Sequence, residues 1–112
     1  MSTPASDCCQ VTTTLPDRAL ADRVAAEVVS GRLAACAQVI GPMTSTYRWE
    51  GRVDTAEEWY CFLKTTEGRL PELRARLREL HPYEVPEIIA VPISDGDPAY
   101  LRWIRESVGT LR

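Results

Sequence analysis

Few residues in this chain have the type and setting that chemistry needs. His81 is the only histidine, so neither a histidine pair nor a Cys/His metal quartet can form within one chain. A lone histidine before a proline loop ordinarily serves as a hydrogen-bonding loop residue. The alternative is that it points into a cleft between copies of the chain. Cys36 and His81 would make a nucleophile and its base, yet nothing in their spacing brings them together. Lys64, the only lysine, follows Phe62-Leu63, and strand alternation puts it on the face of Phe62 and Tyr60. Either its stem runs out to solvent, or it pairs with Glu87 or Glu58 beside an anion-binding cleft. Glu57-Glu58 reads as a solvated acidic pair. Tyr83 and Glu84 stand between Pro82 and Pro86, in a stiff loop that suits a binding rim. No glycine-rich phosphate cradle, G-x-S-x-G elbow or paired-carboxylate spacing is present. The catalytic signal in these residues is weak.

Four cysteines in 112 residues would fit a disulfide scaffold only in a secreted, loop-rich chain. Here Cys36 and Cys61 lie in apolar strand-like runs, where a free thiol acts as a small hydrophobe. Cys8-Cys9 is adjacent, and no C-x-x-C occurs. Reduced, mostly buried thiols are expected.

The elements that must position these residues follow from periodicity. Cys8 to Thr14 reads as a first strand, rich in β-branched residues. Pro16-Asp17 opens a helix whose apolar face is Leu20, Val24 and Val28 with Ala21 and Ala25, and Gly31 stops it. Leu33 to Ile40 reads as a strand interrupted at Gly41-Pro42. Beyond it Met43, Ser45, Tyr47 and Trp49 share one face of an outer strand. Glu50-Gly51-Arg52 reverses the chain, and the return strand runs from Val53 to Thr66, with a bulge expected near Asp54 to Ala56. Leu70, Leu73, Leu77 and Leu80 mark a second helix. His81 to Pro86 cannot be helical, because each proline holds its predecessor extended. Glu87 to Ile93 reads as a strand, and Asp97-Pro98 starts a last helix bearing Tyr100, Leu101, Ile104 and Val108.

The order predicts an α+β fold: a ferredoxin-like βαββαβ sandwich with a C-terminal helix. Two hairpin strands of about 15 residues would be about 50 Å long at ~3.3 Å per residue. A domain of this length has a radius of gyration near ~13 Å. The hairpin must therefore bend at Gly41-Pro42 or project. Its outer half is expected to carry Tyr47, Trp49, Trp59 and Tyr60, rings that are costly to leave in water. A second copy of the chain is the simplest cover.

Composition bounds the rest. Apolar residues make up 45% and charged residues 26%, with net charge −3. That is the balance of one globular domain, residues 1–112, with 1–7 as a flexible N-terminal segment. No apolar run spans a bilayer, no signal peptide is visible at the N-terminus, and basic residues are dispersed among acidic ones. Nucleic-acid and membrane partners are not expected, and the cytoplasm is the expected compartment.

Several segments together are specific to a family. Leu33-Ala34-Ala35-Cys36, Thr44-Ser45-Thr46-Tyr47-Arg48-Trp49-Glu50-Gly51, Leu63-Lys64-Thr65, His81-Pro82-Tyr83-Glu84-Val85-Pro86-Glu87 and Tyr100-Leu101-x-Trp103 resemble the CutA divalent-cation tolerance proteins, in the family's order. The likeness runs from Val11 to Val108.

This resemblance implies a tight homotrimer similar to the PII signalling proteins, with the hairpin pairing strands across subunits. It implies a role in the response to copper and other divalent metals, by binding or signalling. The clefts between subunits would be lined by Tyr47, Trp49, Glu58, Lys64, Tyr83 and Glu87, with His81 as the metal candidate. No cofactor is required; copper or another divalent cation, or a small anion, is the ligand implied. In members credited with copper binding, a first-strand cysteine and two adjacent histidines supply ligands. Here Thr13 and Leu80-His81 occupy those places, so His81 alone of that set remains. The alternative is a PII-like sensor or scaffold that binds a small anionic metabolite through Lys64 and Arg48 or Arg52.

Overall fold

The first and last helices start where a side chain can replace a missing backbone partner. The Asp17 carboxylate accepts from the Leu20 N–H at 2.8 Å and caps the first helix, and Asp97 does the same for Tyr100 in the last. The computed structural model describes residues 7–109. Among them the order is β1 (Cys8–Leu15), α1 (Arg18–Ser30), β2 (Cys36–Trp49), β3 (Arg52–Thr66), α2 (Leu70–Leu80), β4 (Ile88–Pro92) and α3 (Pro98–Val108). The flexible segment expected at 1–7 lies outside the described residues except for Asp7. That residue is tied down: its carbonyl accepts from Glu67 N–H and its carboxylate pairs with Arg105.

The four strands form one antiparallel sheet in the order β2-β3-β1-β4, the arrangement expected of a ferredoxin-like α+β fold. Odd-numbered residues of β1 and the inner half of β3 face α1 and α2. There Val11, Leu15, Val24, Val28, Cys61, Leu63, Leu73 and Leu77 make the main core. Among the described residues the opposite face is covered only at one end, where α3 packs Leu101, Ile104 and Val108 on Cys8 and Ala35. The rest of that face bears Ile40, Ile89 and Val91, each more than half exposed. No disulfide joins the four cysteines, and Cys8, Cys9 and Cys61 are buried.

The hairpin is long. The molecule measures 46 Å on its longest axis, and its radius of gyration is 15.1 Å, above the ~13 Å of a compact chain this size. At its tip the two residues Glu50 and Gly51 both take positive φ, 49° and 78°, as the tight turn between twisted strands requires.

Two expectations need correction. The bulge falls not near Asp54 to Ala56 but between Ile40 and Met43, where Gly41 and Pro42 together oppose Trp59. From Met43 to Trp49 the ladder with β3 is unbroken. The proline lacks a donor, and the indole of Trp59 crowds Gly41, so the extra residue sits where a regular ladder would be hardest to keep. Trp59 and Tyr60 also lie in the inner sheet, opposite Leu15 and Thr14, rather than on the projecting half. Trp59 packs on the main core and Tyr60 stacks on Phe62 at 5.0 Å.

The bulge also sets which residues share a face. Inside it, Ile40 lies opposite Tyr60; outside it, Met43 lies opposite Glu58 and Tyr47 opposite Asp54. Directly opposed residues point the same way. The odd-numbered row Met43, Ser45, Tyr47 and Trp49 is therefore continuous with the even-numbered, uncovered face of the inner sheet.

Candidate functional site

The site forms where β1 ends and β3 runs on. α2 stops at Leu80, and His81 turns extended (φ −82°, ψ 133°) because Pro82 follows it. Its ring is buried against β1. Nε2 donates to the Thr14 carbonyl at 2.8 Å, and Nδ1 accepts from the Tyr83 N–H at 3.3 Å. A carbonyl can only accept, so the proton is on Nε2. The Tyr83 ring leans on the imidazole at 4.8 Å, and its hydroxyl donates to Glu58 Oε2 at 2.8 Å.

Glu58 is thus not a solvated strand-start carboxylate. It is only 8% exposed, while Glu57 faces solvent. The reason is topological. β1 pairs with β3 no further than Trp59. The proline loop carries Tyr83 across to Glu58, just past the end of that pairing.

The electrostatics bind the group together. Burial, then the hydrogen bond to Glu58, push the Tyr83 phenol well above its ordinary 10, with Tyr47 and Asp17 adding in the same direction. Burial and the neighbouring Glu58 raise Glu87 above 4.5. Burial lowers His81 below 6.5, aided by Arg78 and opposed by the Thr14 carbonyl and Glu58. Tyr47, Glu58, His81, Tyr83 and Glu87 are therefore one interacting set, acidic and rich in phenols.

Two predicted site residues lie elsewhere in the chain. Lys64 is six residues along β3 from Glu58, about 20 Å at ~3.3 Å per residue. Its ammonium donates to Gln38 Oε1 at 3.0 Å rather than to Glu58 or Glu87. Trp49 stands at the hairpin tip, opposite Arg52. Cys36 is also remote from His81: its thiol contacts the Tyr100 hydroxyl at 3.7 Å.

Two partners escaped the sequence reading. Gln38 lies opposite Phe62, beside Lys64 on the uncovered face, which strand pairing would reveal once the register is known. Thr14 contributes only its carbonyl, which no residue pattern signals.

The residues present do not make a metal centre within one chain. Among the described residues no three of His, Cys, Asp and Glu converge. Both nitrogens of His81 are already hydrogen-bonded. Burial and Asp22 push the Cys61 thiol up to about 11, and burial raises Cys9 too, which keeps both protonated and poor as ligands. Thr13 is fully buried with its hydroxyl unpartnered.

Comparison with known proteins gives a consistent result. A family model for the CutA1 divalent ion tolerance protein matches residues 9–107. The divalent-cation tolerance protein CutA of Thermus thermophilus is 44% identical over 96 residues, 86% of this chain and 93% of that one. Protein CutA of Mus musculus is 40% identical over 93 residues, 83% of this chain but 52% of that longer protein. The crystal structure of CutA from Xylella fastidiosa superposes with a TM-score of 0.90 at 38% identity, covering 93% of this chain and all of that one.

Proposed function

This chain belongs to the CutA1 divalent ion tolerance family, and from that premise we propose that it works as a homotrimer that binds its ligand between copies and catalyses nothing. The observation that carries the reading is the half-finished sheet. Both edge strands, β2 and β4, are unpaired on their outer sides among the described residues, and the face beside them is apolar and uncovered. An edge of one kind on each side suits head-to-tail pairing, which closes into a ring. The projecting arm supplies the reach.

The cleft follows from the same assembly. Within one chain Lys64 cannot meet Glu58 or Glu87; a neighbouring copy can bring it there. The acidic set of Glu58 and Glu87, the rings of Tyr47, Trp49 and Tyr83, and the neighbour's Lys64 would then line one site per interface. That site takes a small ion without a resident cofactor. A small-anion sensor resting on Lys64, Arg48 and Arg52 is not favoured, because the buried end of the site is acidic. The cytoplasm suits the free thiols. No described helix is long and apolar enough to cross a membrane.

Native mass spectrometry tests the reading, before and after copper(II) or zinc(II) is added to chelator-treated protein. A trimer taking up metal in threes supports it in full. A trimer that stays metal-free keeps the assembly and removes the divalent ion as direct ligand. A folded monomer refutes it.

A further inference from the structure

The lone histidine is the metal candidate of the sequence reading, yet its surroundings are those of a brace. Its two ring nitrogens are spent on backbone groups from different parts of the chain: the Thr14 carbonyl at the end of β1 and the Tyr83 N–H two residues on. The second bond has the form of an Asx turn, in which a side chain accepts from the backbone two residues later. The first spans 67 residues of sequence. Between them they fix the start of the proline loop on the sheet. The ring contact then holds the Tyr83 side chain, whose hydroxyl reaches Glu58.

We infer that His81 is a positioning residue: as the neutral tautomer protonated at Nε2, it seats the proline loop on β1 and so places the Tyr83 hydroxyl on Glu58. It is not itself a ligand of the ion the site receives. The inference rests on the reading of Glu58 and Tyr83 as part of the site, but its geometry is internal to one chain. A charged ring would lose the acceptor at Nδ1, and a metal would need one of the two nitrogens released. Either change frees Tyr83.

The two bonds can be separated by substitution. His81→Asn keeps an acceptor for the Tyr83 N–H but cannot reach Thr14. His81→Gln keeps a donor of the right length for Thr14 but loses the short-range acceptor. His81→Phe keeps the ring contact and loses both bonds. With 13C-labelled tyrosine, NMR at neutral pH reads the Tyr83 ring directly, and Glu58→Ala supplies the signature of the broken phenol bond. The expected result is that His81→Phe moves the Tyr83 signal to the Glu58→Ala position, with His81→Gln and His81→Asn, which each keep one of the two bonds, between that position and wild type. A Tyr83 signal unmoved in His81→Phe overturns the inference. Should that variant fail to fold, 15N NMR of the wild-type ring decides. A proton on Nε2 with an acceptor Nδ1 supports the inference, and a charged ring or a proton on Nδ1 overturns it.

Titrating wild type and His81→Asn with zinc(II) gives the second arm. Uptake unchanged within twofold, or absent from both, supports the positioning role. Loss of uptake by tenfold or more in His81→Asn, with the Tyr83 signal unmoved, makes His81 a ligand and overturns it. A monomeric wild type would refute the trimer reading while leaving the ring measurements, and this inference, standing.

Discussion

Gly41 lies against the indole of Trp59 so closely that a Cβ at that position would come within 2.6 Å of ring carbon Cδ1. The pair marks the β-bulge, where Gly41 and Pro42 oppose a single residue of β3. The contact joins the projecting arm to the core, since Trp59 packs on the main hydrophobic cluster. Gly41→Ala forces the ring off its seat and is expected to cost roughly 1–3 kcal/mol, the usual penalty of overpacking. Urea unfolding checks it. A change below half a kilocalorie would mean the ring moves freely and the bulge is not held by it.

The hydroxyl of Thr13 is the reverse case, a polar atom with no partner in a fully buried position. Valine has the same branched shape and removes the unsatisfied group. Thr13→Val is expected to stabilise the protein by about 1 kcal/mol, the lower end of the cost of burying an unpaired hydroxyl. Loss of stability on this substitution would reveal a hydrogen bond that the resting geometry does not make.

Glu87 makes stability depend on pH. Its folded-state pKa is raised, by burial first and by Glu58 second. Its contribution is therefore fully present below the ordinary 4.5 and is lost as pH rises through the raised value. Glu87→Gln is expected to be more stable than wild type at neutral pH, with the difference vanishing in acid. Thermal melts from pH 4 to 8 measure it. A constant offset across that range would show that neither burial nor Glu58 raises Glu87 in the folded chain.

Much of this arrangement is legible in the sequence. Asp17 and Asp97 announce their helices, Glu50-Gly51 announces the hairpin, and the leucine spacing marks α2. What cannot be read is anything that depends on strand register. A one-residue slip exchanges the faces of a strand. Displacing the bulge from its expected place to Gly41 therefore changes which β3 residues each arm residue opposes. For the same reason Glu57 and Glu58 look alike in sequence, and only the end of β1 decides which is buried. On charge alone Lys64 can run out to solvent or pair with a carboxylate, yet Gln38 is its partner because the two strands meet there. The resemblance named the candidate residues. Topology shows that one chain gathers Tyr47, Glu58, His81, Tyr83 and Glu87 but leaves Lys64 and Trp49 apart.

The arm should matter for assembly through its face rather than its composition. Exchanging Thr46 with Tyr47 and Arg48 with Trp49 moves both rings to the other side of β2 without altering the ladder. The exchanged chain is expected to keep its secondary structure by circular dichroism and to dissociate at concentrations at least tenfold higher than wild type. An unchanged dissociation midpoint would remove the rings from the interface.

The central claim is that the site is completed between copies, and the single lysine makes it directly testable. Carbodiimide joins an amine to a carboxylate in contact with it and adds no spacer. Treated wild-type protein should give covalent dimers and trimers of the 12.5 kDa chain, with peptide mapping that links Lys64 to Glu58 or Glu87, and Lys64→Arg should abolish that link. Protein that stays at the mass of one chain, or that cross-links Lys64 only to other carboxylates, would contradict the account.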